Sequence, residues 1–192
     1  TDFNFLTVAQ WGPRKNLSNT IQWFVEEFID QPVGLVVKAF LKNNSTMDKM
    51  WAEKQLNMLL KDYPQRKCKV YLLHGDMSDD EMTGLYNNPK IKAMLSLTHG
   101  EGFGLPLFEA AYNGMPVIAP DWSGHCDFLY MPHADKNNKT KNKAMFGKID
   151  YDLSPVQPEA VWEGVLMQES LWAYAKQGSY KMNLREVYKE SA

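Results

Sequence analysis

Short apolar runs alternate along the chain with segments of helical pattern, and this alternation is the feature that most constrains the fold. The runs are rich in β-branched and aromatic residues and lie at 3–9, 33–40, 69–73, 93–97 and 116–119. Each has the length and composition of a buried strand. Strands that alternate with helices form parallel sheets with right-handed crossovers. The sequence therefore predicts an α/β fold, a doubly wound and Rossmann-like parallel sheet whose ligand crevice lies beyond the carboxyl ends of its strands.

The helical segments indicate where helices begin and which faces they bury. Between the first two runs, apolar residues recur at i, i+3, i+4 and i+7, the spacing of one helix face: Ile21, Phe24, Val25 and Phe28. A second helix is predicted at about 47–60. Ser78 and Glu81 have the spacing of a capping box, in which each side chain accepts a hydrogen bond from the other residue's backbone amide. A helix is therefore predicted to begin there.

The final third of the chain has a different pattern. Residues 132–143 are polar and include four lysines without periodic apolar residues, which predicts a mobile loop with solvated charges. Apolar residues then predict one helical face over 158–177: Trp162, Val165, Leu166 and Trp172. Another helix is predicted from about Tyr180. Residues 158–192 are thus expected to be the C-terminal helices of one domain that spans residues 1–192.

Composition excludes several classes of protein. The chain has 21 Lys and Arg against 23 Asp and Glu, a net charge of −2, so no overall field attracts nucleic acid or an anionic membrane. No apolar run approaches the roughly 20 residues of a transmembrane segment. Cys68 and Cys126 lack metal-ligand or redox spacing and are interpreted as small core residues in a reducing compartment. The first ten residues have a strand pattern without signal-peptide features, which predicts a cytoplasmic piece of a longer polypeptide.

Chemistry concentrates in one segment, residues 99–121, which reads HGEGFGLPLFEAAYNGMPVIAPD. Its glycine-rich loop follows a predicted buried strand and precedes a helix that Gly114 closes. Pro106 suits the first helical turn, where its missing amide costs nothing. The free amides of residues 103–107 and the helix dipole would then point into the crevice. Such a helix start is suited to binding an anion such as a pyrophosphate.

Two carboxylates flank this predicted phosphate site. Glu101 lies in the loop and Glu109 lies eight residues later in the helix, so both are expected to border the same crevice. Carboxylates accept hydrogen bonds from vicinal hydroxyls, and the pair would suit a ligand with a phosphate and two sugar rings, such as a nucleotide sugar. The alternative for each residue alone is structural: Glu109 would complement the helix dipole and Glu101 would be a solvated loop charge.

The run EGFGLPLFE, followed by Gly-x-Pro-Val-Ile, resembles the Glu-x7-Glu signature of retaining GT-B glycosyltransferases, especially glycosyltransferase family 4. The resemblance implies that the chain is the single C-terminal, donor-binding half of a GT-B enzyme. It implies that Glu101 is the catalytic residue, next to the reacting carbon of the sugar, and that Glu109 binds the ribose. It further implies that the loop backbone contacts the donor sugar and phosphate through Gly102, Phe103, Gly104 and Leu105.

The resemblance extends to the loop after the first strand, which reads Ala-Gln-Trp-Gly-Pro-Arg-Lys-Asn over 9–16. In the family a basic loop at this point grips the donor diphosphate, and Lys15 matches the family lysine. Gln10 stands where the family commonly has an arginine, which removes one cation, and Arg14 is expected to substitute for it. Without the resemblance, Pro-Arg-Lys-Asn is an ordinary turn.

The loop after the third strand is expected to wall the nucleotide base. The resemblance implies only this region, which contains His74, Gly75 and Met77. His74 and His99 each have the chemistry of an acid or a base, but a histidine at a strand end is also commonly a hydrogen-bonded structural residue, so both rank below the glutamates.

The resemblance also implies a set of partners. The expected co-substrate is a nucleoside diphosphate sugar, UDP- or GDP-linked, used without a metal or other cofactor. The acceptor-binding N-terminal domain is expected to be absent from this chain. Two alternatives with the same fold are a non-catalytic nucleotide-sugar binding module and a sugar-nucleotide epimerase. A dinucleotide oxidoreductase is disfavoured, because no GxGxxG follows the first strand.

Overall fold

Five neighbouring parallel strands correspond to the five apolar runs, and a sixth joins them at one edge. The computed structural model describes residues 1–190. The strand order of the sheet is β3-β2-β1-β4-β5-β8, and all five pairings are parallel. These strands are β1 Asn4–Gln10, β2 Gly34–Phe40, β3 Lys69–Leu73, β4 Ile91–Leu95, β5 Val117–Pro120 and β8 Gly147–Ile149. The predicted doubly wound, Rossmann-like sheet is confirmed.

Six α-helices and four further strands complete the part of the chain that the structure describes. The helices are α1 Leu17–Glu27, α2 Thr46–Leu60, α3 Asp79–Tyr86, α4 Leu105–Tyr112, α5 Cys126–Leu129 and α6 Gln177–Glu190. The strands are β6 Tyr130–Ala134 paired with β7 Thr140–Ala144, and β9 Tyr151–Pro155 paired with β10 Leu171–Ala175. Short 3-10 turns lie at Pro13–Lys15 and Pro158–Ala160. Over residues 1–190 no helix has both the length and the apolar character of a membrane span.

The sheet buries both of its faces. Successive side chains of a strand point to opposite faces, so Phe5 of β1 belongs to one core cluster and Leu6 to the other. Helices α1, α2 and α6 contribute to the first cluster, and α3 and α4 cover the second. The predicted apolar face of α1 is confirmed, since Ile21, Phe24 and Val25 of the helix and Phe28 at its C-cap are all buried. A parallel sheet needs this cover on both sides.

A buried tyrosine of α6 forms a hydrogen bond to α1. Tyr180 is fully buried, and its hydroxyl donates to the carbonyl oxygen of Thr20 at 3.0 Å. Burial raises the pKa of this phenol. At the surface, Lys181 bonds Glu26 at 2.8 Å. The predicted final helix is therefore present and packs back onto the same domain.

The capping box of α3 is confirmed. The Ser78 hydroxyl accepts from the Glu81 amide, and the Glu81 carboxylate accepts from the Ser78 amide at 2.7 Å. Both bonds satisfy donors that the first turn of a helix leaves free.

The predicted mobile loop at 132–143 is wrong. These residues form most of an antiparallel hairpin in which Tyr130 pairs with Ala144 and Ala134 with Thr140. The turn is closed by the Asp135 carboxylate, which accepts from the amide of Asn137 at 2.8 Å. Because the hairpin is held by backbone bonds and is mostly exposed, it has no apolar periodicity in the sequence.

The predicted helix at 158–177 is also wrong. After the turn at Pro158–Ala160, Trp162 bridges to Leu166 around Gly164, whose φ of +77° suits glycine and ends any helix. The chain then forms β10, in which Trp172 is buried, whereas Trp162 remains 68% exposed. Of the C-terminal helices predicted over 158–192, the described residues contain one α-helix, Gln177–Glu190. Residues 191–192 lie outside the described part of the chain.

Tyr180→Phe is expected to lower the free energy of unfolding by about 1–2 kcal/mol, because it removes the donor to the buried Thr20 carbonyl. Urea denaturation measures the loss. Tyr112→Phe is the matched control, because Tyr112 is 82% exposed, and it is expected to change stability by less than about 0.5 kcal/mol. Equal effects of the two substitutions would contradict the anchoring role of Tyr180.

Candidate donor-binding site

A cleft of about 410 Å³ opens at the carboxyl ends of β1 and β2, as the fold predicts. Its polar lining consists of Gln10, Lys15, Lys38, Asn44 and Asp76. A smaller adjoining recess is lined by Glu101 and Gly104 and shares Lys15 and Pro106 with the cleft. Lys15 therefore lies where the cleft meets the recess that contains Glu101.

Glu101 is held by the two cations that the sequence analysis singled out. Lys15 Nζ lies 2.5 Å from its Oε1 and Arg14 Nη1 lies 3.0 Å from its Oε2. Arg14 also donates to the carbonyl oxygen of Gly100 at 2.6 Å. Burial by itself would raise the pKa of the Glu101 carboxyl, but the hydrogen bonds and charges of Lys15 and Arg14 outweigh it and hold the pKa below its usual value. Glu101 is therefore ionised at neutral pH.

The glycine-rich loop presents free amides at the start of α4. Gly104 has a φ of +86° and precedes the helix, with Pro106 in the first turn. Within residues 1–190 the backbone amides of Phe103, Gly104, Leu105 and Leu107 donate to no acceptor. Gly114, with a φ of +78°, follows the helix end. The predicted helix start is confirmed, and it leaves several donors for an anion.

The loop is fixed from behind by the turn after β5. Ser123 Oγ accepts from the Glu101 amide at 2.8 Å and donates to the Glu101 carbonyl oxygen at 2.6 Å. The Gly124 amide donates to the same carbonyl at 3.0 Å. A Cβ on Gly124 would lie 1.9 Å from the Gly102 carbonyl oxygen, so only glycine allows this approach. The backbone of Glu101 is thus positioned by residues outside its own segment.

Glu109 does not line the same cavity as Glu101. It faces α3, where the Tyr86 hydroxyl donates to its Oε2 at 3.0 Å. It lines a separate depression of about 380 Å³, and Met82 borders both this depression and the main cleft. Burial and the charge of Glu109 raise the pKa of Tyr86. The expectation of one shared crevice is therefore replaced by two adjacent ones, and a ribose role for Glu109 stays a prediction.

The two histidines singled out in the sequence have structural partners. His99 is buried, bonds the Ala173 carbonyl through Nδ1 at 2.8 Å and stacks on Trp172 with ring centroids 5.0 Å apart. Burial lowers the pKa of His99, so it is neutral. His74 Nε2 lies 2.8 Å from Asp48 Oδ1, and both side chains are buried. Neither histidine lines the cleft, which favours the structural alternative.

Of the residues predicted to wall the base, Met77 lines the cleft and Gly75 places its carbonyl beside it. His74 belongs to the wall only indirectly, through its bond to Asp48. Asn44 of the preceding loop donates to the Asp76 carboxylate and joins the lining. The predicted region is therefore at the cleft, although the side chains that face the cleft are largely different ones.

Sequence reasoning missed Asp48, which organises the loop between β2 and α2. Its carboxylate accepts from the amides of three consecutive residues, Leu41, Lys42 and Asn43, at 2.9, 2.6 and 3.1 Å. Burial would raise the pKa of Asp48, but these backbone bonds and His74 outweigh it and hold the pKa well below its usual value. The spacing Ser45-x-x-Asp48, typical of a helix start, was the available signal, and Ser45 caps α2.

Across residues 1–190, no three His, Cys, Asp or Glu side chains are grouped to hold a metal ion. Asp150 and Asp152 have Asp-x-Asp spacing, and Asp152 forms an ion pair with Lys176 at 3.3 Å.

The fold is similar to those of known glycosyltransferases. It matches the pneumococcal O-GlcNAc transferase GtfA, solved in complex with UDP and GlcNAc, with a TM-score of 0.51 and 18% identity over 98% of this chain and 29% of GtfA. It matches the lipopolysaccharide outer core galactosyltransferase WaaB with a TM-score of 0.52 and 13% identity, over 98% of this chain and 41% of WaaB. The fold is that of the C-terminal domain of a GT-B glycosyltransferase.

The amino-acid sequence identifies the family of the chain more closely than the fold does. It is 31% identical over 118 residues to the serotype-specific mannosyltransferase WbdA of Escherichia coli, a match that covers 62% of this chain and 13% of WbdA. The chain thus corresponds to a small part of that protein. The model of the glycosyl transferases group 1 family matches residues 1–133, and the chain belongs to this family.

Gly124→Ala is expected to displace the Glu101 loop and to destabilise the domain by about 1–3 kcal/mol, as overpacking does. Urea denaturation measures the loss, and amide NMR shifts at 100–104 report the displacement. Gly84→Ala in α3 is the control, because a Cβ there meets no atom within 4 Å. It is expected to be neutral or to stabilise by up to about 1 kcal/mol. Unchanged loop shifts in Gly124→Ala would contradict the close approach.

The ion pairs of Glu101 predict a pH-dependent contribution to stability. The pKa of this group is lower in the folded state than its unfolded value of roughly 4.3. Its contribution is therefore fully present above about pH 5 and is lost as the pH falls through the folded-state pKa. The free energy of unfolding of Glu101→Gln should be below that of the native chain at pH 7, and the difference should shrink towards pH 3.

Glu53→Gln is the control for this titration, because Glu53 is half exposed and faces Lys49 only at 3.8 Å. A difference for Glu101→Gln that grew at low pH would contradict the ion-pair account.

Proposed function

We propose that this chain binds a nucleoside diphosphate sugar and forms the donor site of a retaining hexosyltransferase. The observation that carries the proposal is the ionised Glu101 carboxylate, held by Lys15 and Arg14 beside the free amides at the start of α4. This places a carboxylate, which can accept hydrogen bonds from sugar hydroxyls, next to a cluster of amides, which can donate hydrogen bonds to a phosphate.

The reaction proposed is transfer of a hexose to an acceptor hydroxyl. The bond between the anomeric carbon and the diphosphate oxygen breaks, and the diphosphate leaves with the electron pair. The acceptor oxygen forms the new bond on the same face of the sugar and releases its proton to the departing diphosphate, which passes it to solvent. The amides of Gly102, Phe103, Gly104 and Leu105, together with Lys15 and Arg14, would stabilise the departing charge by preorganisation.

Each glutamate has a separate part in this proposal. Glu101 would hold the transferred sugar near its reacting carbon, in the recess beside Lys15. Glu109 would bind the ribose from the neighbouring depression, with the Tyr86 hydroxyl fixing one carboxylate oxygen and leaving the other for the ligand. Because Met82 borders both the cleft and the depression, one nucleotide sugar could extend from one into the other.

The relatives support a sugar nucleotide as the ligand. GtfA was solved with UDP and GlcNAc, and WbdA is a mannosyltransferase. We extend this to a UDP- or GDP-linked hexose, bound without a metal ion because basic side chains and helix amides supply the positive potential. Both cysteines are free thiols, which supports a reducing, cytoplasmic location.

The acceptor-binding domain is proposed to lie elsewhere in a longer protein, since this chain corresponds to 13% of WbdA. By itself the chain would then act as a donor-binding module. Glycosyl transfer by these 192 residues alone would exclude the purely binding role.

The test is calorimetric titration of UDP and of GDP into the protein with EDTA present. One of the two is expected to bind. Glu109→Ala should weaken that binding about tenfold or more, because a charge-assisted hydrogen bond is lost. Glu53→Ala should leave it unchanged, because Glu53 lines neither the cleft nor the depression. Absence of binding by both nucleotides, or no effect of Glu109→Ala, would overturn the proposal.

A further inference from the structure

One further cation lines the cleft and has no part in the site described so far. Lys38 lies near the carboxyl end of β2, in register with Val8 of β1 and with Leu73 of β3. Its side chain points to the same face of the sheet as Val8, and both residues line the 410 Å³ cleft. Lys38 is only 9% exposed, which is unusual for a lysine.

The charge of Lys38 is poorly compensated within the domain. Its Nζ donates to the carbonyl oxygen of Gly75, and over residues 1–190 no carboxylate lies within ion-pair distance of it. Burial lowers the pKa of Lys38, and the more distant charge of Asp76 opposes this shift. An ammonium group has three donors, and a single neutral acceptor leaves two for another partner.

The other cations of the site are already balanced in part. Lys15 and Arg14 both contact the single carboxylate of Glu101, so the three groups together carry a net charge of +1. A diphosphate joined to a nucleoside and a sugar carries two negative charges, and it gains a third when the sugar is transferred. The cleft therefore needs a cation beyond Lys15 and Arg14 to match its ligand.

We propose that Lys38 is this cation and that it donates to the diphosphate of the bound nucleotide, an inference that rests on the function proposed above. Lys38 reaches the cleft from β2, whereas Lys15 reaches it from the loop after β1. Gln10 lines the same cleft without a charge, and its amide donates to the carbonyl oxygen of Leu41 at 2.7 Å. The buried ammonium compensates for the neutral residue at position 10.

A purely structural role makes a different set of predictions. If Lys38 only fastens the loop after β3 through the Gly75 carbonyl, its loss would disturb the walls of the cleft for every ligand. If it binds the diphosphate, its loss would lower the affinity for charged ligands and leave the affinity for uncharged ligands unchanged. A comparison of a nucleoside diphosphate with its nucleoside separates the two roles.

The experiment measures the Kd of UDP and GDP by calorimetry and of uridine and guanosine by NMR. For whichever of UDP and GDP the native chain binds, Lys38→Met is expected to raise the Kd by about tenfold or more. This is the loss expected for a charge-assisted hydrogen bond. The affinity of the matching nucleoside should stay within about twofold. Lys42→Met is the control, because Lys42 is exposed and lies outside the cleft lining; it should leave both affinities unchanged.

A second variant tests compensation directly. Gln10→Arg places a cation in the same cleft and is expected to restore at least half of the lost binding free energy when combined with Lys38→Met. An unchanged diphosphate affinity in Lys38→Met, or an equal loss for nucleoside and diphosphate that Gln10→Arg does not rescue, would overturn the proposal. Failure of the native chain to bind either diphosphate would instead overturn the proposed function.

A measurement on the native chain covers the case in which Lys38→Met does not fold. With lysine labelled at Cε, addition of the diphosphate is expected to shift the Lys38 resonance, assigned through Lys38→Arg, and addition of the nucleoside is not. The proposal would also be overturned if the diphosphate shifted the Lys15 resonance and left the Lys38 resonance unchanged.

Discussion

The arrangement of the site depends on one buried carboxylate. Glu101 joins the loop after β1 to the loop after β4, because Lys15 and Arg14 bind its two oxygens at 2.5 and 3.0 Å. A buried charge is stable only when it is paired and hydrogen-bonded, so the buried glutamate requires these cations. Helix α4, whose first backbone amides are free, begins four residues after this glutamate at Leu105. An ionised carboxylate and a group of free backbone amides are thus close together in the protein itself.

The supports of this carboxylate come from segments far from it in sequence. Ser123 and Gly124 hold the Glu101 backbone from the turn after β5, and β10 stacks Trp172 on His99, two residues before the glutamate. Asp48 shapes the loop on the opposite side of the cleft through three backbone amides. The domain thus uses its strand-end loops as one connected layer, which is the usual way in which a doubly wound sheet builds a ligand site.

Position 10 illustrates how a resemblance and a structure complement each other. The resemblance of the sequence to glycosyltransferase family 4 implies that a cation is missing there, with Arg14 as the expected substitute. The structure shows Arg14 bound to Glu101 and shows Lys38 entering the same cleft from β2. Position 38 has no counterpart in the motif, because it is adjacent to the motif across the sheet and not along the chain. A strand neighbour can therefore supply a charge that a linear pattern does not contain.

The sequence by itself determined the strand and helix order through β5, the apolar face of α1, the capping box at Ser78 and the helix start at Pro106. These features follow from local spacing, since burial on a sheet imposes a period that single segments reveal. Only the tertiary structure decided the partners of Glu101, the separation of Glu109 from it, and the roles of Asp48 and Lys38, because these contacts join residues from different loops and strands. The ribbons β6–β7 and β9–β10 were not predicted, because backbone hydrogen bonds between paired strands hold them together. Such pairing does not require a periodic pattern of apolar side chains when most of the side chains are exposed.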